Sequence, residues 1–287
     1  MIKIGIAAAL QDPANLVTWA RRVDAGPFTS IGVNDRMVYD SPEPMVLLGG
    51  LATATTRIQV RSEVLLAALR DPVLIAKQAA TMDRLAGGRL SLGLAVGARE
   101  DDFRVVGADF GRRGRVLDEQ LATMRRIWSG QPFSDDIGPI GPAPVGAGGP
   151  EILFGGFTPA AVDRVGRWGD GFICSGMPDH AKQMFQLVEQ SWQAAGREGR
   201  PRLIGQINTA FGPESMVAEA RSLLLDYYGF LGDMAVHAAD AILTTADEIR
   251  ETIAQYEELD ADEVMLGCWS PDIDQLDRLA DLVGDQA

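Results

Sequence analysis

The sequence has few of the features that mark membrane or nucleic-acid-binding proteins. No apolar run reaches the roughly 20 residues that a membrane-spanning helix needs. The 26 Lys and Arg residues are outnumbered by 40 Asp and Glu residues, which gives a formal net charge of −14. Nucleic acids and anionic membranes bind basic surfaces. We therefore predict that neither is a partner of this protein.

Catalytic and metal-binding motifs are also scarce. Cys174 and Cys268 lie in apolar strand-like runs, which is typical of core residues rather than of a disulfide. Neither G-x-S-x-G nor G-x-x-x-x-G-K-[ST] occurs, which disfavours serine hydrolases and P-loop proteins. Asp101 and Asp102 have no histidine or third carboxylate at ligand spacing, so no metal site is predicted. Residues 2–8 are more typical of a first strand than of a signal peptide, and the expected location is cytoplasmic.

The most regular stretch of the sequence is Ile58–Gly97. Apolar and β-branched residues at Ile58–Leu66 predict a buried parallel strand. Asp71 can cap a helix over Pro72–Leu85, in which apolar positions recur every three or four residues. A second apolar strand at Leu90–Val96 completes one βαβ unit.

Strand and helix patterns alternate along the whole chain. The predicted strands are Ile2–Ala8, Phe28–Val33, Ile58–Leu66, Leu90–Val96, Glu151–Phe154, Gly171–Cys174, Leu203–Asn208 and Glu263–Cys268. The predicted helices are Ala14–Asp24, Glu43–Thr55, Pro72–Leu85, Arg113–Ser129, Pro159–Trp168, Ala181–Ala195, Ser215–Tyr228, Ala246–Leu259 and Ile273–Leu282. This alternation predicts an α/β fold, a (β/α)₈ TIM barrel formed by residues 1–287 as a single domain. An open, doubly wound parallel sheet is the alternative.

Two segments interrupt the alternation. Gln131–Pro150, an insertion after the fourth barrel helix, has ten Gly or Pro among its twenty residues and cannot be a helix or a central strand. It is expected to be either a mobile loop or a lid or cleft wall. Gly229–Thr244, an extra segment before strand 8, contains His237 and can form an added helix.

In a (β/α)₈ barrel the active site lies at the C-terminal ends of the strands. The most informative of these ends is Gly155–Thr158, after strand 5. Its glycines allow close backbone approach, and the next helix offers free N–H groups, which together suit a phosphate. A tight turn with a threonine cap needs the same residues. Asp35 and Arg36 follow strand 2 and are either a rim ion pair or polar contacts to a ligand. His180, after strand 6, is more typical of a cap or a surface residue.

Three stretches of the sequence resemble the bacterial luciferase-like monooxygenase superfamily, which includes F420-dependent and FMN-dependent oxidoreductases. They are LLAALRDPVLIAKQAATMDRLAGGRLSLGLAVG, EILFGGFTPAAVDRVGRWGDGFICSG and TADEIRETIAQYEELDADEVMLGC. The resemblance covers nearly the whole chain. It implies a (β/α)₈ barrel with the cofactor at the C-terminal mouth.

The resemblance also implies roles for single residues. A flavin or deazaflavin ring would lie against Ser62, Glu63 and Val64 of strand 3, where the family often has a bulge with a non-proline cis peptide. Asp35 and Arg36 would contact the ring edge or the substrate and are the predicted catalytic residues.

The remaining implied cofactor contacts lie at other strand ends. They are Gly97 and Ala98 after strand 4, Gly155, Gly156, Phe157 and Thr158 as the phosphate site, and Gly176 nearby. Two residues depart from the family pattern. Glu63 stands where relatives mostly have a small or apolar residue, and Ala98 stands where some F420-dependent sugar dehydrogenases carry a glutamate proton donor.

The resemblance favours coenzyme F420 as the cofactor, with FMN as the alternative. Positive charge for the F420 tail could come from Arg36, Arg99 and Lys182. The expected activity is hydride transfer between F420 and a small organic substrate. The alternatives are an FMN-dependent monooxygenase that uses O₂ and a non-catalytic cofactor-binding barrel. The family also implies a homodimer, for which the helices after strands 2 and 3 offer apolar faces.

Overall fold

A computed structural model describes residues 2–8 and 12–284 of the chain. Their strands form one closed parallel barrel, in which each strand pairs with the next along the chain and β8 pairs with β1. The strands are β1 (Lys3–Ala8), β2 (Ser30–Val33), β3 (Gln59–Leu66), β4 (Leu90–Ala95), β5 (Glu151–Gly155), β6 (Gly171–Ser175), β7 (Arg202–Thr209) and β8 (Glu263–Cys268). The predicted barrel is confirmed, and the open sheet is excluded because the ring closes.

Helices connect the strands on the outside of the barrel. They are α1 (Pro13–Ala25), α2 (Pro44–Ala54), α3 (Pro72–Leu85), α4 (Glu100–Val106), α5 (Arg113–Trp128), α6 (Pro159–Trp168), α7 (Pro178–Ala194), α8 (Glu214–Tyr228), α9 (Asp233–Asp240), α10 (Ala246–Glu258) and α11 (Asp274–Gly284). Each of the nine predicted helices is present, with its ends within three residues of the prediction. None of the described helices is both long and apolar enough to cross a bilayer.

Side-chain caps fix where several helices begin. The carboxylate of Asp71 accepts hydrogen bonds from the backbone N–H groups of Val73 and Leu74, so α3 begins where the sequence indicates. Thr245 and Glu248 form a capping box at the start of α10. Because these contacts are local, they can be predicted from residue spacing alone.

The segment 131–150 lies at the N-terminal face of the barrel, opposite the mouth. It leads from α5 into the first residue of β5, and its backbone is held by side chains of α3. Lys77 donates a hydrogen bond to the carbonyl of Gly141 at 2.7 Å, and Asp83 accepts one from the N–H of Val145 at 2.8 Å. The expectation of a lid or cleft wall is therefore wrong. An αβ connection returns the chain to the end of the barrel where strands begin, so this segment cannot shape the mouth.

The segment 229–244 contains the predicted added helix. A 3₁₀ turn at Gly229–Leu231 is followed by α9, and both pack against α8. Together with the end of α8, the 3₁₀ turn reaches across the mouth to the loop after β2, where Tyr227 and Phe230 contact Arg36. This segment, unlike 131–150, is positioned to affect what enters the barrel.

Candidate active site

A bulge in β3 shapes the centre of the mouth. The pairing of β3 with β4 shifts register between Ser62 and Leu65, and the Glu63–Val64 peptide bond is cis. The hydroxyl of Ser62 donates a hydrogen bond to the carbonyl of Gly93 at 2.8 Å. Because of the bulge, Glu63 and Val64 both turn toward the inside of the barrel. The bulge and cis bond expected at this position are therefore present.

Val64 forms part of the floor of the mouth. It is half-buried and packs on the apolar layer of Ala7, Leu153, Ile173, Ile204 and Met265 that fills the barrel. Glycines on the neighbouring strands leave room for its side chain. A Cβ atom placed at Gly93 or at Gly155 would lie 3.1 Å from Cγ1 of Val64. Val64 thus presents a partly exposed apolar side chain at the end of the barrel core, with no side chain on Gly93 or Gly155 beside it.

The loop after β5 brings backbone groups and a helix N-terminus to the rim of the mouth. Gly156 has φ = 148°, a conformation that L side chains rarely adopt, and its Cβ would clash with Ala161. Thr158 caps α6 by accepting from the N–H of Ala161, while the ring of Phe157 is exposed. Both interpretations of the motif are compatible with this geometry, because a capped helix start is also an anion-binding site.

A second helix start lies next to the first. Gly176, with φ = 145°, follows β6 shortly before α7 begins at Pro178, and Tyr256 donates a hydrogen bond to the Gly176 carbonyl at 2.6 Å. The rings of Phe157 and His180 lie 5.7 Å apart, which places the N-terminal turns of α6 and α7 side by side. His180, which the sequence marks only as a cap or surface residue, therefore belongs to this rim.

Asp35 is engaged by protein groups rather than pointing freely into the mouth. Its Oδ2 accepts from the N–H of Leu66 at 2.8 Å and from Nη1 of Arg70 at 2.6 Å, and its Oδ1 accepts from Nη2 of Arg70 at 3.0 Å. Burial raises the pKa of Asp35, although the Arg70 guanidinium opposes this change. Asp35 therefore ties the loop after β2 to the end of β3.

Arg36 is buried under the segment that crosses the mouth. Its Nη1 donates to the carbonyl of Tyr227 at 2.8 Å, and its Nε lies 3.4 Å from a carboxylate oxygen of Asp102. The guanidinium is 4.6 Å from the centroid of the Tyr227 ring and 5.2 Å from that of Phe230. Phe230 also lies 5.3 Å from the guanidinium of Arg99. Two predicted sources of positive charge thus converge on one aromatic ring.

The residues after β4 have mainly packing contacts. A Cβ at Gly97 would lie 2.9 Å from the ring of Phe103, and the Gly97 carbonyl accepts a hydrogen bond from Arg113. The space that Gly97 leaves is therefore filled by Phe103 of α4. Ala98 is exposed, and Arg99 forms an ion pair with Asp101.

The site contains residues that the sequence does not reveal. Arg70 lies 35 positions from Asp35. Tyr227 lies 191 positions from Arg36, as does nearby Phe230 to within a few residues, so no local pattern could identify these partners. The sequence does show that Arg70 precedes a helix cap, but not that it reaches Asp35. Among residues 2–8 and 12–284, no group of three or more His, Cys, Asp or Glu side chains could hold a metal ion.

Comparison with known protein families gives a match over most of the chain. A family model described as luciferase-like monooxygenase matches residues 3–265. An uncharacterized protein of Mycobacterium tuberculosis is 31% identical over 169 aligned residues, which cover 56% of this chain and 60% of that protein. The chain therefore spans about three-fifths of the length of that relative.

Two F420-dependent enzymes are also similar. An F420-dependent glucose-6-phosphate dehydrogenase of Amycolatopsis mediterranei is 28% identical over 228 aligned residues, which cover 68% of this chain and 65% of that enzyme. The solved structure of an F420-dependent secondary alcohol dehydrogenase, in complex with an F420-acetone adduct, superposes with a TM-score of 0.81. The superposition includes 99% of this chain and 98% of the dehydrogenase chain. The two sequences are 20% identical, so the comparison shows that the folds are alike and nothing more.

Proposed function

Because the chain belongs to the luciferase-like monooxygenase family, we propose that it is an oxidoreductase that transfers a hydride between coenzyme F420 and a small organic substrate. The observation that carries the proposal is the pair of helix starts at the rim, Gly155–Thr158 with α6 and Gly176 with α7. They lie beside the apolar floor at Val64. Together they suit a molecule with a planar ring at one end and a phosphate at the other.

The pair of helix starts at the rim suits the phosphate end of the cofactor. Backbone N–H groups at a helix N-terminus, with the positive end of the helix dipole, favour an anion. Gly156 and Gly176 keep side chains away from this rim, and Lys182 lies in the second turn of α7. These residues would hold the phosphate, and Lys182 would lie toward the acidic tail of F420.

The ring end fits the floor. Val64 would support the ring, while the β3 bulge and the glycines beside it exclude bulky side chains. Bound F420 would supply the hydride-transfer chemistry, donating the hydride when reduced and accepting it when oxidised, so the chain's own task is to bind, orient and shield the ring. Arg36 would orient the ring edge or substrate by charge, and Asp35 would hold the loop that presents Arg36.

Cofactor binding is the direct test. Purified protein is titrated with F420 and, separately, with FMN, while cofactor fluorescence is followed, and each mixture is then desalted and its absorption spectrum recorded. We expect micromolar affinity for F420 and weaker binding of FMN. Micromolar binding of neither cofactor would contradict the proposal.

An FMN-dependent monooxygenase is the second candidate, and the phosphate rim favours it as well, since FMN needs only that cradle. Bound reduced FMN would supply the oxygen chemistry, while Gly155–Thr158 would hold its phosphate and the walls of the mouth would shield the ring from water. Oxygen uptake that requires both reduced FMN and an organic substrate would support this candidate over the first.

A cofactor-binding barrel without turnover is the third candidate. The carboxyl group of Glu63 beside the floor and the exposed Ala98 are the observations that favour it. Tight binding of F420 together with no reduction or oxidation of the bound cofactor, across a panel of alcohols, aldehydes and enones, would support it.

A further inference from the structure

A network of charged side chains, partly exposed at the N-terminal face and buried beyond it, runs along the inside of the barrel to the β3 bulge. It contains two guanidinium groups, Arg61 and Arg202, and three carboxyl groups, Glu63, Glu151 and Glu263. The side chains of Arg61, Glu63 and Glu263 have no solvent exposure. If all five of these side chains were ionised, the network would carry two positive and three negative charges, which leaves one uncompensated negative charge. Burying such a charge is costly.

Two of the three carboxyl groups are well compensated. Glu263 accepts from Arg61 at 2.8 Å and from Arg202 at 2.6 Å, and its other oxygen accepts from the hydroxyls of Thr29 and Ser30 at 2.7 and 2.6 Å. Glu151 accepts from Arg202 at 2.8 Å and is partly exposed at the N-terminal face. Both groups therefore have a guanidinium partner at hydrogen-bond distance.

Glu63 is the poorly compensated member. Its Oε1 lies 3.3 Å from Nη1 of Arg61, and its buried Oε2 has no hydrogen-bond partner among the described residues. The charged groups facing it are Arg61 on its own strand, Glu263 from β8 and Arg202 from β7, while β2 contributes the uncharged Gly32. Burial raises the pKa of Glu63 to about 7, although Arg61 opposes this change.

The local backbone is built to accept this side chain. A Cβ at Gly32 would lie 2.5 Å from Cγ and 2.7 Å from Cδ of Glu63, so only glycine leaves space for the carboxyl group there. Glu63 directly precedes Val64, the residue that forms the floor under the proposed ring. A negative charge at Glu63 would therefore lie just below an acidic cofactor.

We propose that Glu63 is a positioning residue that carries a proton beneath the cofactor seat, and that an anionic cofactor binds tightly only while Glu63 is neutral. This inference rests on the proposed function, because it places the cofactor on Val64. The two arginines are then matched by two carboxylates, and the floor has no net charge.

The proposal predicts how cofactor affinity depends on pH. Above the pKa of Glu63, each further pH unit should weaken F420 binding by up to about tenfold, because binding must then be accompanied by uptake of one proton. Glu63→Gln keeps the shape of the neutral acid but cannot ionise. Its affinity should match that of the wild-type protein at low pH and show a smaller dependence on pH. Titration of the cofactor itself affects both proteins equally. The difference between their pH dependences of F420 affinity therefore measures the effect of ionising Glu63.

The proton itself can be observed without any cofactor. Infrared difference spectra of the free protein between pH 6 and pH 8.5 should show loss of a carboxylic-acid C=O band, and the band should be absent from Glu63→Gln. Circular dichroism of both proteins establishes that they are folded. If the variant does not fold, Glu63→Met, which is neutral and of similar length, replaces it.

The outcomes separate the two proposals. A band that is absent from the wild-type protein, or that persists in the variant, overturns the neutral acid. A band that depends on Glu63 together with equal pH slopes for F420 binding overturns the coupling to the cofactor. In the third outcome, the band depends on Glu63 while neither F420 nor FMN binds at any pH. That result overturns the proposed function and the effect of Glu63 on cofactor binding, but it leaves standing the conclusion that Glu63 is protonated.

Discussion

Glu263 accepts hydrogen bonds from four side chains in the barrel interior, and replacing it should be costly. In Glu263→Gln, the buried Arg61 would lose the carboxylate at 2.8 Å and be left with the poorly aligned carboxyl group of Glu63 at 3.3 Å. We expect the free energy of unfolding at pH 7 to fall by about 3–5 kcal/mol, as it does when one partner of a buried ion pair is removed. Urea denaturation measures the change. The matched control is Glu151→Gln, which also removes a partner of Arg202 but at a partly exposed position, and an equal loss in both variants would contradict the argument.

The contribution of Glu263 should also depend on pH. Burial by itself would raise the pKa of Glu263, but the guanidinium groups of Arg61 and Arg202 lower it to about 2. Because the pKa is lower in the folded than in the unfolded chain, the stabilisation is present above pH 4.5 and is lost as pH falls toward 2. Unfolding curves of the wild-type protein and Glu263→Gln should therefore converge in acid.

Arg70 should be needed to hold the loop after β2 in place. It donates two hydrogen bonds to Asp35, two to Glu43 and one to the carbonyl of Leu66. Lysine cannot reproduce two parallel hydrogen bonds, so Arg70→Lys should lower the free energy of unfolding by about 1–3 kcal/mol and weaken cofactor binding. A double-mutant cycle with Asp35→Ala and Arg70→Ala measures the coupling between the two side chains. Strict additivity of the two effects would show that the pair does not act as a unit.

At the scale of a secondary-structure element, two helix caps of the same type allow the proposed phosphate site to be tested. Thr158 caps α6 within the proposed phosphate site after β5 and β6, whereas Thr245 caps α10, which begins beside the end of β7 and is not part of that site. Each Thr→Ala change should lower the free energy of unfolding by about 1 kcal/mol. Only Thr158→Ala should also weaken cofactor binding. Equal affinity in the two variants would place the phosphate elsewhere.

The positions of strands and helices could be predicted because the signals that set them are local. The helix predicted at Pro72–Leu85 has those bounds in the structure, since Asp71 caps its start through neighbouring N–H groups. The short helix α4 was not predicted. Arg99, at its N-cap position, makes no side-chain cap hydrogen bond, and its seven residues are too few for a clear apolar period.

The site could be predicted only in part, since its geometry depends on contacts between distant parts of the chain. The glycines of the β5 loop and the β3 bulge could be located from the motif and the family resemblance. The partners of Asp35 and Arg36 could not, because Arg70 and Tyr227 reach them through tertiary packing. The composition of segment 131–150 indicates only a loop. Its position at the N-terminal face follows from its place in the barrel, because it connects a helix, α5, to the start of a strand, β5.

At the scale of the whole molecule, we expect a homodimer formed through α2 and α3. Val46 on α2 is 75% exposed and Leu74 on α3 is 59% exposed, and nothing lies within 4 Å of a Cβ placed at Gly49 or Gly50. Such a surface allows helices of two copies to approach closely, and covering it would remove apolar area from water.

Charge placed on this surface should separate the two copies. Val46→Glu combined with Leu74→Glu should convert the dimer to a monomer in sedimentation experiments without unfolding it. Val236→Glu, at a 50% exposed position on α9, is the control and should remain dimeric. A wild-type protein that sediments as a monomer would contradict the prediction.

The attachment of segment 131–150 to the N-terminal face has a practical consequence. Asp135 is exposed there, at the end of the barrel farthest from the mouth, and both native thiols, Cys174 and Cys268, are buried. Burial raises the pKa of each thiol to about 12, which keeps both unreactive toward alkylating labels. A dye or a surface anchor attached through Asp135→Cys would therefore leave every molecule oriented with its mouth toward the solution.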